Sequence, residues 1–91
     1  MRTHKELIEL ARRFLYNPDS SIRNELKKAA DELDSASYDL SGVDTLEKFA
    51  ACAAIESASA AHPYAEYSVH AHSDNAAYYV KQYEKLAHKE G

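Results

Sequence analysis

The sequence predicts an all-α fold, a small antiparallel bundle of about four helices. Three observations carry this. Apolar residues recur at helical spacing in four segments. Only two Gly and two Pro punctuate the chain, and the strongest breaks fall at Asn17-Pro18-Asp19, Gly42 and His62-Pro63. The connections between segments are short, which sets consecutive helices antiparallel.

The first helix is expected over 3–16. Leu7, Ile8, Ala11, Phe14 and Leu15 share one face, with Lys5, Glu9, Arg12 and Arg13 off it. Asn17 suits a helix end and Pro18 cannot continue the helix. The second helix is expected over 20–35, capped by Ser20 or Ser21, with Ile22, Leu26, Ala29, Ala30 and Leu33 as its stripe. The third is expected over 45–61, with Asp44 as cap and Glu47 three residues on. Its run Ala50-Ala51-Cys52-Ala53-Ala54 is small on every side, which lets neighbours approach closely and places this helix centrally. Pro63 opens a fourth helix over 63–88. Its expected seam is Ala65, Val69, His72, Ala76, Tyr79, Tyr83 and Leu86, at alternating four- and three-residue spacing. A rival reading joins the third and fourth helices across a proline kink.

At 91 residues the chain is expected to form a single helical domain, 1–91. A domain of this size buries about 60–65% of its unfolded surface, which disfavours a large enclosed active site. Cys52 is the single cysteine, so no internal disulfide forms and a reducing compartment is expected. No apolar run reaches the roughly 18 residues of a membrane span, and no apolar stretch follows the basic N-terminal residues. These features predict a cytoplasmic protein without membrane contact.

Charge is unevenly spread. Residues 1–28 carry seven bases and four acids, whereas residues 29–80 carry nine acids and one base, Lys48. Such a field repels nucleic acid and attracts basic surfaces. The plainer reading is a solubilising acidic face. Arg12, Arg13, Arg23, Lys27 and Lys28 offer a basic patch, but Glu9 and Glu25 dilute it, so no direct nucleic-acid binding is expected.

No enzyme signature emerges, and no cofactor is expected. His70-Ala71-His72-Ser73-Asp74 resembles the opening of the binuclear metallo-β-lactamase motif. Residues two apart on a helix point away from each other, however, and Asn75 stands where the next His belongs. A helical metal set of His62, Glu66 and His70 is the alternative. His72 on the seam is expected to be a core histidine bonded to a neighbouring group. Cys52, with no flanking base, is expected to be packed core.

Tyrosine is the least ordinary feature. Five of the seven lie at 64, 67, 78, 79 and 83. Tyr64, Tyr67 and Tyr78 flank the seam with Asn75 and Gln82, as interface anchors do; covering thin core edges is the other use of such residues.

The stretch 50–83 resembles the immunity-protein-like, Ala/His-rich helical domains that accompany bacterial toxin and bacteriocin systems. The matching features are the Ala-rich run Ala50–Ala61, His62, His70 or His72, and Ala76-Ala77-Tyr78-Tyr79. The resemblance covers about a third of the chain and implies a binding role without catalytic residues.

The expected function is therefore a small acidic inhibitor, immunity-protein-like or phage-encoded (anti-CRISPR-like). It would neutralise a larger basic or nucleic-acid-processing protein by occupying its surface. The expected contact residues are Asp31, Glu32, Asp34, Asp39, Tyr64, Glu66, Tyr67 and Tyr78. The alternatives are a metal-binding helical protein and a homodimeric module paired through the Tyr-rich seam of helix four.

Overall fold

A computed structural model describes residues 3–17, 19–35, 45–62 and 66–90, without the side chains of residues 34, 35, 66, 67 and 90. Four helices follow in order: α1 (His4–Tyr16), α2 (Ser20–Ser35), α3 (Leu46–Ala61) and α4 (Glu66–Glu90). Among the described residues there is no strand. The all-α bundle expected from periodicity is the observed fold.

The helix ends follow capping chemistry, with two departures from expectation. Thr3 caps α1, its hydroxyl accepting from the Glu6 N–H at 3.3 Å. The cap of α2 is Asp19 rather than a serine, because its carboxylate accepts from the Ile22 N–H at 2.8 Å. The cap of α3 is Thr45, whose hydroxyl accepts from the Lys48 N–H at 3.2 Å. The helix therefore starts one residue later than expected, and Asp44 lies outside the described residues. At the far end of α3, His62 leaves helical geometry at φ −128°, ψ 65°, so α3 and α4 are separate helices and not one kinked rod.

Helix α3 is the centre of the bundle and touches each of the other three, while α2 and α4 do not meet among the described residues. Ala50, Ala51, Ala53, Ala54, Ala58, Ala60 and Ala61 are all buried, on every side of its axis. Small side chains here let α1, α2 and α4 approach the same helix closely. The bulky half of the core comes from the surrounding helices: Leu7, Ile8, Leu10 and Phe14 of α1, Ile22, Leu26 and Leu33 of α2, and Val80 and Tyr83 of α4. Each such side chain, fully buried, contributes about 1.5–3 kcal/mol of hydrophobic stabilisation.

The α4 seam differs from expectation. Ala76, Val80 and Tyr83 are buried, whereas Val69, His72, Tyr79 and Leu86 are only half-buried. An unsupercoiled helix advances 3.6 residues per turn, so a strict heptad seam drifts off the contact line. Val80 takes the line; Tyr79 and His72 fall on its edge.

Candidate functional site

Polar contacts between helices fix the outer helices on α3 and on each other. At one end of the bundle, Arg23 of α2 donates to the Ala61 carbonyl at the end of α3, at 3.1 Å. His62 returns the contact, its Nε2 lying 3.1 Å from the Arg23 carbonyl. A carbonyl only accepts, so Nε2 carries the proton. The Arg23 guanidinium also lies 6.0 Å from the Phe14 ring centre, tying α1 into the same corner.

On the opposite side of α3, His72 of α4 and Glu56 of α3 meet at 2.5 Å between Nδ1 and a carboxylate oxygen. His72 is half-buried, and the hydrogen bond to a neighbouring group expected for it is present. Beside this pair lies Cys52, buried one turn earlier on α3. Burial pushes its thiol above the ordinary value of 9.0, and the Glu56 carboxylate adds to the rise. Burial, then the Cys52 and Glu56 charges, likewise push the Tyr79 phenol up. A thiol held protonated is a poor nucleophile.

Two contacts join α1 to α4: His4 Nδ1 and the Tyr83 hydroxyl lie 2.7 Å apart, and the Arg12 guanidinium donates to the Glu84 carboxylate at 3.1 Å. Sequence reasoning missed His4 and His62 as partners, because no local pattern links residues so far apart in the chain.

A cleft of about 710 Å³ opens beside α1, lined by residues such as Glu9, Arg12, Arg13 and Tyr83, and holds none of the expected contact residues. Two other surfaces hold some of them. Between α2 and α3 runs a groove of about 320 Å³, lined by Lys27, Ala30, Asp31, Ile55, Ala58, Ser59 and His62. Ala30, Ile55 and Ala58 give it an apolar part beside the polar side chains. Asp31 is exposed at its rim and makes no ion pair among the described residues. On α4, Tyr78 is 56% exposed and packs edge-on against Tyr79, with ring centres 5.4 Å apart.

The expected contact residues are thus only partly placed. Asp31 and Glu32 stand exposed on α2, and Tyr78 stands exposed on α4. Since α2 and α4 do not meet, these acids and this tyrosine belong to different surfaces. Asp39 and Tyr64, with the side chains of Asp34, Glu66 and Tyr67, lie outside the described residues. Glu56 belongs to the acidic middle of the sequence but is engaged by His72.

Among the described residues no group of three or more His, Cys, Asp or Glu is disposed to hold a metal ion. His62 is engaged with Arg23, and the Glu66 side chain is not described. Among the same residues, no helix is long and apolar enough to cross a membrane. Compared with protein-family models, with curated proteins and with solved structures, the chain matches none.

Proposed function

We propose that this chain is a small helical protein-binding inhibitor that occupies the basic surface of a larger protein. The observation that carries the reading is the Asp31 carboxylate, exposed and without an ion pair among the described residues, on a groove that Ala30, Ile55 and Ala58 also line. A lysine or arginine of a partner fits such a place. Its aliphatic stem lies on Ala30, Ile55 and Ala58, and its charged head meets Asp31.

The uneven charge supports the same reading, since nine acids against one base in residues 29–80 steer a basic surface toward the chain before contact. The resemblance of residues 50–83 to immunity-protein-like domains agrees with a binding role. Lys27 stands one turn before Asp31 on the same groove and opposes a cationic ligand. It therefore gives the reading a test of sign as well as of strength.

The experiment is capture from source lysate with the full chain as bait, washed at low and then high salt and read by mass spectrometry. The expected result is one basic protein held stoichiometrically and released by salt, because salt screens exposed charge. Failure to capture any basic protein contradicts the proposal.

A further inference from the structure

The outer face of α4 carries a charge pattern that matches itself when the helix is reversed. Ala71, Asp74, Asn75, Tyr78, Lys81 and Lys85 are all exposed. Asp74, Tyr78 and Lys81 are spaced four and three residues apart, so they lie on one face of the helix. Tyr78 lies between the acid and the base, half a residue from their midpoint. Neither Asp74 nor Lys81 makes an ion pair among the described residues, and the Tyr78 ring is steadied by its edge-on contact with Tyr79.

The geometry points to a second copy of this chain as the occupant of that face. Two α4 helices would pair antiparallel about a two-fold axis passing between positions 77 and 78, which brings the two Tyr78 side chains next to each other. In an isologous contact each residue meets its counterpart reflected through the axis. Tyr78 then lies beside Tyr78 of the second copy. Asp74 meets Lys81 of the second copy, and Lys81 meets its Asp74, giving two equivalent ion pairs from one sequence. A parallel pairing would instead set Asp74 against Asp74 and Lys81 against Lys81, which charge disfavours.

This surface is separate from the α2–α3 groove, because α2 and α4 do not meet among the described residues. It is also not the seam pairing suggested by the sequence. Tyr83 of that seam is only 6% exposed and faces inward.

The test is sedimentation equilibrium of the full chain over a concentration series at low ionic strength, with helix content checked by circular dichroism. Wild type is expected to dimerise. Asp74→Lys alone and Lys81→Asp alone are each expected to weaken the dimer at least about tenfold, because each loses both symmetric pairs and creates like-charge contacts. The double variant D74K/K81D re-forms the pairs in reversed sense and is expected to regain wild-type association. Mixing the two single variants is expected to yield a heterodimer, since each then supplies the charge the other lacks. A wild type that stays monomeric up to about 1 mM (a free energy of roughly −4 kcal/mol or weaker) overturns the proposal. So does a folded double variant that associates no better than the singles. Failure here leaves the Asp31 reading standing, because capture at the groove does not use α4.

Discussion

His72 of α4 and Glu56 of α3 are joined nitrogen to oxygen at 2.5 Å across the contact between the two helices. Neither side chain is fully shielded, at 35% and 23% exposure, so the pair fixes register more than it adds stability. Replacing His72 with Ala is expected to cost about 1 kcal/mol, because Glu56 is left half-buried without its donor. Thermal unfolding checks this, with a fall of about 4–8 °C expected for a domain of this size.

The corner formed by Arg23, Ala61, His62 and Phe14 fastens three helices. Arg23→Ala removes the donor to the last turn of α3 and the cation over Phe14. The expected loss is about 1–2 kcal/mol, read by urea denaturation with an unchanged slope. An Arg23→Lys variant keeps the charge but lacks the planar fork, and is expected to recover only part of that loss.

Helix α3 is central because it is small. Ala53→Leu is expected to destabilise by about 1–3 kcal/mol through overpacking, although leucine raises the apolar content. Ser57 is the complementary case. Its hydroxyl is buried and has no hydrogen-bond partner among the described residues. Ser57→Ala is expected to leave stability unchanged or raise it by about 1 kcal/mol, since the change removes an unsatisfied polar group. A clear loss on Ser57→Ala would mean that the hydroxyl has a bonding role in solution.

The architecture was legible because helix periodicity and breakers are local signals. The apolar stripes of α1 and α2, the central place of the alanine run and the break at His62 were all readable from neighbouring residues. Cap identity was less so, because Asp19 and Ser20, or Asp44 and Thr45, are adjacent residues with equal capping chemistry. The α4 seam was misplaced by one position at Val80, since a heptad count imposes a period that a short bundle does not keep. The contacts of His4 with Tyr83 and of His62 with Arg23 bridge 79 and 39 residues. No local spacing foretells such pairs; they arise only when packing brings the helices together. Of the contact residues expected from charge and tyrosine content, Asp31 gained a setting, the groove with Ile55 and Ala58. That setting could not be read without knowing that α2 lies along α3.

Alkaline pH should destabilise the fold. Cys52, Tyr79 and Tyr83 have their folded-state values pushed above the ordinary 9.0 for the thiol and 10.0 for the phenols, in each case chiefly by burial. The unfolded chain therefore releases these protons at lower pH than the folded one. Stability from this source is complete below about pH 9 and falls as pH rises through the folded-state values. Urea midpoints measured between pH 7 and 11 are expected to hold level and then decline. Native Cys52 is likewise expected to react with a thiol reagent far more slowly than the unfolded chain at pH 8.

The central claim is that Asp31 receives a basic partner at the α2–α3 groove. The direct measurement compares capture by wild type, D31K and K27E baits from the same source lysate, quantified for the protein that wild type retains. The account predicts that D31K loses that protein and that K27E holds it through a higher salt wash, since one change adds a repelling cation to the groove and the other removes one. Equal recovery by all three folded baits would contradict the account and leave the acidic face as a solvated surface.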